Sequence, residues 1–179
     1  MASRPVRWGV IALGTPFLVV ALMLTVGMFL PREHVVASRA RFGAPPDSVW
    51  AVVSDFPSYP EWRPDVSAMD PLPDQPGRPG WMELPSRIPY RVVAKEEPRF
   101  LATEIESGLS FRGTLRVEIE PLREGGAAVT LTEQAEVDNP VFRFLARFAF
   151  GYHSTIDGYL IALGNRLGEE VKPEHVAGD

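Results

Sequence analysis

The sequence predicts an α+β fold in which a curved antiparallel sheet packs against a long carboxy-terminal helix, preceded by one amino-terminal transmembrane helix. The transmembrane helix is indicated by residues 10–30, which are almost wholly apolar. Apolar residues then recur with a period of two across residues 81–137 and with a helical period across residues 139–170. A sheet with one apolar face and a helix with one apolar stripe can bury both surfaces only by packing together.

The apolar run is long enough to cross a bilayer. About 20 helical residues span a hydrocarbon core of roughly 30 Å, and no charged side chain occurs between Arg7 and Arg32. A cleavable secretory signal is the alternative, but the apolar core of a signal has only about 7–15 residues. We therefore predict a tail at 1–9, an anchor at 10–30, a linker at 31–37, a domain at 38–170 and a second tail at 171–179.

The charges that flank the anchor do not decide its orientation. Arg4, Arg7 and the terminal amine precede it, and three arginines, at positions 32, 39 and 41, follow it. We predict a single-pass cell-membrane protein with its domain on the extracytoplasmic side, because long domains translocate largely regardless of charge.

Composition excludes several functions. Residues 42–179 contain 13 basic and 22 acidic side chains, so this region repels a polyanion and nucleic acid is not an expected partner. The chain has no cysteine, which excludes disulfides, thiolate catalysis and cysteine-based zinc sites.

The first part of the domain combines a short strand with a helix. Residues 36–42 read as extended, and Val49, Val52, Val53 and Phe56 then follow a helical spacing that stops at Pro57. Six prolines and glycines between positions 71 and 80 predict a loop that no regular element crosses.

A meander of strands and one long helix follow that loop. The predicted strands are residues 81–86, 88–97, 99–107, 111–122 and 127–137, and turn signals separate them. The final helix begins at a cap at Asp138 or Asn139, has Pro140 in its first turn, and continues to about Glu170.

This arrangement resembles the START-like superfamily, also called SRPBCC. The segments most similar to membrane-anchored bacterial members of the polyketide cyclase/dehydrase and lipid transport family are Leu30-Pro31-Arg32-Glu33-His34, Ala44-Pro45-Pro46-Asp47-Ser48-Val49-Trp50 and Tyr59-Pro60-Glu61-Trp62. The resemblance implies a helix-grip fold, with a hydrophobic cavity for lipids, sterols or polyketides between the sheet and the long helix. These motifs are structural, so they indicate the fold more strongly than the chemistry.

The cavity lining follows from the inward faces of the predicted elements. Trp62 and Trp81 flank the proline-rich loop, where they either cap the mouth of the cavity or simply pack that loop. The other apolar residues expected to line the cavity are Phe111, Leu115, Leu131, Leu145, Ala149, Tyr152 and Ile156.

Glu133 is the most suggestive polar residue. Strict alternation places it on the inner face of its strand with Leu131, where burial would raise its pKa. We expect Glu133 and Tyr90 to supply the polar contacts of an otherwise apolar pocket, unless an arginine neutralises the carboxylate or a bulge shifts the register.

His153 is the third candidate for catalysis. Asp157 lies one helical turn after it, a spacing that allows a hydrogen bond, although an exposed helix pair accounts for it equally well. No pair of histidines with a carboxylate occurs at metal-binding spacing, so neither a metal nor a cofactor is predicted.

Three functions remain open at this point. The favoured one is a noncatalytic, membrane-tethered module that holds a lipid or another hydrophobic small molecule. The second is a cyclase- or dehydratase-like enzyme that uses Glu133, Tyr90 or His153 as acid–base groups. The third is a structural partner of another envelope protein, and a cavity smaller than about 300 Å³ would weaken both pocket hypotheses.

Overall fold

A computed structural model describes residues 6–105 and 111–178. Side chains are described from Pro16 onward, with the exception of Phe111. Helix α1, Val6–Phe29, comes first. Among the helices whose side chains are described, none is both long and apolar enough to cross a membrane. The structure therefore does not support the anchor predicted at residues 10–30, of which residues 10–15 lie outside the described side chains.

In the part of the chain that the structure describes, one antiparallel sheet of eight strands forms the body of the domain, and the period-two pattern predicted the five strands of its meander. Its order is β2-β3-β4-β5-β6-β7-β1-β8. The strands are β1 Glu33–Phe42, β2 Ala68–Pro71, β3 Gly80–Leu84, β4 Ile88–Glu96, β5 Phe100–Ile105, β6 Phe111–Pro121, β7 Ala127–Val137 and β8 Glu174–Val176.

Two of these strands were not predicted. Strand β2 lies just before the proline-rich loop and ends at Pro71, whose missing N–H suits the edge of a sheet. Strand β8 lies in the predicted tail and pairs with β1. Strand β1 also begins at Glu33, inside the predicted linker, so only three residues separate it from α1.

The first helices of the domain follow β1 in the chain. They are α2, Pro46–Val53, and α3, Tyr59–Trp62, with a 3₁₀ turn at Phe56–Ser58 between them. Pro45 and Pro46 begin α2 as expected, because proline is well suited to a first helical turn.

The long carboxy-terminal helix predicted for residues 139–170 is instead two helices. Helix α4, Pro140–Leu145, leads into a π-helical turn at Ala146–Phe150, and α5, Ser154–Arg166, follows. Gly151 separates them with a φ of +78°, a left-handed conformation that a residue with a Cβ rarely adopts. The Asn139 cap is confirmed, since its side chain accepts a hydrogen bond of 2.9 Å from the Val141 amide.

Of the two parts of the predicted long helix, α5 supplies the buried core residues on the inner face of the sheet. Leu160 and Leu163 are fully buried, and they belong to one core with Val129 and Leu131 of β7. Helix α4 instead packs on α1, where a Cβ at Gly27 would meet the Pro140 carbonyl oxygen at 1.9 Å. The break at Gly151 therefore divides the predicted helix into a part that builds the core and a part that lies beside α1.

Candidate functional site

A cavity of about 150 Å³ lies between the inner face of the sheet and α5. Its walls come from strands β4 to β7, from α5, and from Arg63 just after α3. A smaller space of about 30 Å³ adjoins it and shares Arg63, Tyr90, Leu115 and Tyr159. Residues 106–110 follow the lining residue Ile105 and lie outside the described residues. The lining residues are Arg63, Ile88, Tyr90, Ile105, Gly113, Thr114, Leu115, Leu131, Glu133, Gln134, Thr155, Ile156 and Tyr159.

Strand register places the carboxyl of Glu133 at this cavity. Glu133 pairs with Leu115 across β6 and β7, and alternation along β7 gives it the same inward direction as Leu131. The alternative of a register slip is excluded, because β6 and β7 pair without interruption from Phe111 and Val137 to Pro121 and Ala127.

Burial raises the pKa of Glu133 to about 7. Desolvation penalises a carboxylate among apolar neighbours, and no hydrogen bond or ion pair to this carboxyl occurs among the described residues. Near neutral pH, Glu133 therefore has comparable protonated and ionised populations.

The arginine at the cavity is already paired with other carboxylates. The Arg63 Nη1 atom lies 2.9 Å from Oε2 of Glu83, and both side chains are buried. Arg63 also pairs with Asp65, and Ser86 donates a hydrogen bond of 3.0 Å to Oε1 of Glu83. The guanidinium charge is thus compensated without Glu133, and the expectation that an arginine might neutralise that carboxylate is wrong.

Tyrosine side chains cover the ion pair. The Arg63 guanidinium carbon lies 5.5 Å from the ring centre of Tyr59 and 5.4 Å from that of Tyr159, within cation–π range. The two hydroxyl oxygens are 3.0 Å apart, and that of Tyr59 donates to the Val53 carbonyl at 2.8 Å.

These phenols remain neutral at physiological pH. Burial raises the pKa of Tyr159 to about 12 and that of Tyr59 well above its usual value. Burial, followed by the negative charge of Glu83, raises the pKa of Tyr90 as well. The cavity therefore presents neutral hydroxyl groups and one titratable carboxyl to a ligand.

Five of the residues predicted for the site line the cavity. Tyr90, Leu115, Leu131, Glu133 and Ile156 all face it. They come from four elements, and the simple alternation of strands and the helical spacing of α5 were sufficient to identify them.

Neither tryptophan lines the cavity. Trp62 is buried and packs edge-on against Tyr59, with ring centres 5.0 Å apart. Trp81 stacks on Phe56 at 4.4 Å. The prediction that they cap the mouth was wrong, and the alternative of simple packing describes both side chains.

The break in the final helix moves three other predicted residues away from the cavity. Leu145, Ala149 and Tyr152 precede α5, and Tyr152 stacks on His34 with ring centres 4.4 Å apart. The side chain of Phe111 lies outside the described residues.

His153 also lies outside the cavity. Its Nδ1 atom is 3.1 Å from the hydroxyl oxygen of Ser38, and this hydroxyl donates a hydrogen bond of 2.6 Å to Asp157. His175 reaches the other carboxylate oxygen of Asp157 at 2.9 Å. Burial, and next the neighbouring His175, lower the pKa of His153. The expected pairing of His153 with Asp157 thus runs through Ser38.

Sequence reasoning missed several residues of the cavity and of the ion pair beside it. Tyr159 was not among the residues predicted for the site. Arg63 and Glu83 are 20 positions apart, and no local pattern connects them. Arg63 follows the aromatic segment at Tyr59–Trp62, and this neighbourhood was the one local signal for a buried arginine.

Two larger depressions adjoin this cavity and share some of its lining residues, but they lack its apolar character. One of about 250 Å³ is open to solvent and is bordered by the charged side chains Glu33, Glu104, Arg112 and Glu136. Another of about 340 Å³ is a shallow region around Pro64 and Ser154. We take the cavity of about 150 Å³ between the sheet and α5 as the candidate site, because its lining combines apolar side chains with a few inward polar groups.

Comparison with known proteins identifies the family of this chain. A family model described as polyketide cyclase / dehydrase and lipid transport matches residues 33–152. No curated protein sequence matches the chain significantly.

Solved structures of similar fold come from distant sequences. A START superfamily protein from Mycobacterium smegmatis has a TM-score of 0.60 at 20% identity, covering 75% of this chain and 97% of its own. The Zhui aromatase/cyclase from Streptomyces sp. R1128 has a TM-score of 0.59 at 15% identity, covering 73% and 91%. Norcoclaurine synthase from Thalictrum flavum has a TM-score of 0.58 at 11% identity, covering 77% and 88%. At these low sequence identities, the similarity is evidence for a shared fold alone.

The raised pKa of Glu133 predicts a pH-dependent stability. The folded pKa of about 7 exceeds the usual 4.5, so the folded state binds more protons than the unfolded state between these values. The free energy of unfolding therefore falls as pH rises through that window, by at most about 3 kcal/mol from this group. Glu133→Gln should remove this loss, so its stability relative to the wild type should increase from pH 4.5 to 8 in urea denaturation.

Glu136→Gln is the matched control on the same strand. Glu136 accepts hydrogen bonds from Arg112, which lower its pKa, so this carboxylate stabilises the fold above its usual pKa and loses that effect as pH falls. The stability of Glu136→Gln relative to the wild type should therefore stay constant between pH 4.5 and 8 and change only below pH 4.5, in the opposite direction. Parallel pH profiles for the wild type and Glu133→Gln would mean that the Glu133 carboxyl is well solvated.

Proposed function

Because the chain belongs to the polyketide cyclase/dehydrase and lipid transport family, we propose that it is a binding module for a hydrophobic small molecule, held in the cavity between the sheet and α5. The observation that carries the proposal is the Glu133 carboxyl, which lines the cavity beside Leu115 and Leu131 and has no partner among the described residues. A desolvated carboxyl with no partner is costly in a domain that has no use for it.

The size of the cavity favours a compact ligand. Its volume of about 150 Å³ is below the roughly 300 Å³ that served as the criterion, which weakens the case for a lipid or another large ligand, but it is comparable to cavities that hold a single aromatic ring. A one- or two-ring molecule with a hydroxyl or carbonyl group fits this space better than a complete lipid. The polar group would lie near Glu133 and Tyr90, and the rings near Leu115 and Leu131.

Filling the cavity should abolish binding. We expect the full chain to bind 2-naphthol, a two-ring phenol, in isothermal titration calorimetry. Leu115→Trp should weaken that binding at least tenfold, because Leu115 lines both the main cavity and the smaller space beside it. Overpacking should also cost about 1–3 kcal/mol of stability, so folding is checked by circular dichroism.

Val93→Trp is the control, since it adds the same side chain at an exposed position of the sheet. It should bind 2-naphthol like the wild type. Equal affinity of Leu115→Trp and wild type, or no binding by the wild type at millimolar ligand, would contradict the proposed site.

An acid–base enzyme is the second candidate, and one observation favours it. A carboxyl with a pKa of about 7 can both donate and accept a proton near neutral pH, as a cyclase or dehydratase requires. Tyr90, whose raised pKa keeps it protonated, would donate a hydrogen bond to a substrate carbonyl. In this second proposal, Glu133 is the proton carrier.

Mass spectrometry separates binding from catalysis. The protein is incubated with a short poly-β-ketone thioester, and loss of one water from that compound is followed over time. An enzyme should accelerate this loss, and Glu133→Gln should reduce the rate at least a hundredfold while leaving 2-naphthol binding within a few fold. A wild-type rate equal to that of Glu133→Gln would leave the noncatalytic module as the function.

We further propose that α1 keeps the domain beside a bilayer, on the extracytoplasmic side. Most of its described apolar side chains are exposed, including Phe17 at 77% and Phe29 at 88%. Phe142 of α4, which packs on α1, and Phe148 and Phe150 of the following turn are exposed too. Such a surface is typical of segments that contact lipid.

Cell fractionation tests the proposed tether. The full chain should sediment with membranes and resist a carbonate wash, whereas a chain that begins at Arg32 should be soluble. Leu22→Asp should shift the full chain toward the soluble fraction, and Ile161→Asp, a matched change at an exposed position of α5, should not. Identical distribution of the full and shortened chains would exclude the tether, and alkaline phosphatase fused to the carboxy terminus would report the side.

A further inference from the structure

Two histidines and an aspartate meet on the surface of the domain, away from the cavity. One ligand-type atom from each of His153, Asp157 and His175 lies within 4.8 Å of the others. His153 and Asp157 belong to the start of α5, whereas His175 comes from β8 near the carboxy terminus. We propose that these three side chains form a binding site for a divalent transition metal ion, with Zn²⁺ the best match.

Strand pairing brings the distant histidine to the other two residues. In the register of β8 with β1, His175 lies directly opposite Ser38. Ser38 is fully buried, and its hydroxyl contacts both His153 and Asp157. The site is therefore built around one buried polar side chain and does not depend on a chance meeting of exposed groups.

The hydrogen bonds orient the ligand atoms. Ser38 donates its proton to Oδ1 of Asp157, so it can only accept from His153, whose Nδ1 then carries the hydrogen. This tautomer leaves Nε2 of His153 unprotonated and available to a metal. Donation from the second ring nitrogen to a fixed partner is the usual arrangement of metal-binding histidines.

The third ligand needs a rotation of its side chain before it can bind the same ion. His175 Nε2 lies 2.9 Å from Oδ2 of Asp157, and an ion between these atoms would replace the hydrogen bond. The rings of His153 and His175 now stack with centres 3.7 Å apart, and parallel rings cannot both direct a nitrogen at one ion. The His175 side chain is 57% exposed and can rotate to bring the ligand atoms to the roughly 3.4 Å separation of a tetrahedral zinc site.

The chemistry of the three ligands matches Zn²⁺ rather than Mg²⁺ or Ca²⁺. Two imidazole nitrogens and one carboxylate oxygen suit a borderline ion, whereas the hard ions prefer oxygen ligands alone. Three protein ligands leave a fourth position for water. Bound metal would join the carboxy-terminal strand, whose three residues are all exposed, to α5.

Metal titration of the complete, untagged chain tests the proposal. After treatment with EDTA, the protein should bind one equivalent of Zn²⁺ at pH 7.5 with a dissociation constant in the micromolar range or tighter. Co²⁺ should give the visible absorption of a four-coordinate ion. His175→Ala and Asp157→Asn should each weaken Zn²⁺ binding at least tenfold, and hydrogen exchange of the β8 amides should slow on adding Zn²⁺ only in the wild type.

His34→Ala supplies the control, because His34 is the one histidine of the chain outside this cluster. It should bind Zn²⁺ like the wild type. His175→Ala is not expected to unfold the domain, since the residue is exposed in a terminal strand. Absence of binding at 100 μM Zn²⁺, unchanged affinity in His175→Ala, or loss of binding in His34→Ala would each overturn the proposal.

Discussion

Burial of α5 against the inner face of the sheet is the constraint on which the remaining features depend. Leu160 and Leu163 of this helix have no exposed surface and share one core with strands from both halves of the sheet. Burying a leucine side chain contributes about 1.5–3 kcal/mol, so this contact determines where α5 must lie. The candidate cavity is the part of the same interface that side chains do not fill.

The electrostatics of the cavity follow from this burial. In a region of low dielectric, a charge is tolerated only with a partner, and Arg63 satisfies that requirement with Glu83 and Asp65. Tyr59 and Tyr159 complete this arrangement by covering the guanidinium group and binding each other. Glu133 lies in the same interface but has no part in this ion pair. Burial without a compensating charge therefore raises its pKa.

The break at Gly151 allows residues 140–166 to pack against two different parts of the protein. Before it, α4 lies on α1, and Arg143 donates a hydrogen bond of 2.9 Å to the Leu30 carbonyl. After it, α5 packs on the sheet and presents His153 and Asp157 toward β1. A continuous helix would have had a single direction, and it could not have reached both α1 and the sheet in this way. The proposed tether and the proposed metal site therefore lie on opposite sides of Gly151 in the chain.

The amino-acid sequence by itself determined the local features. Period-two alternation identified the meander and placed Glu133 on the inner face, because side-chain direction in a strand depends only on position along it. Asn139 and Pro140 identified the start of α4 for a similarly local reason. The resemblance of the proline-flanked segments indicated the family, and the match to residues 33–152 confirmed it.

Only the tertiary structure decided the features that join distant parts of the chain. Arg63 reaches Glu83, and His175 reaches Asp157, through pairings that no spacing in the sequence encodes. The helical stripe across residues 139–170 predicted one helix, because periodicity does not report the left-handed backbone that Gly151 adopts. Cavity volume was also beyond prediction, since it is the small difference between the space that the backbone encloses and the side chains that fill it.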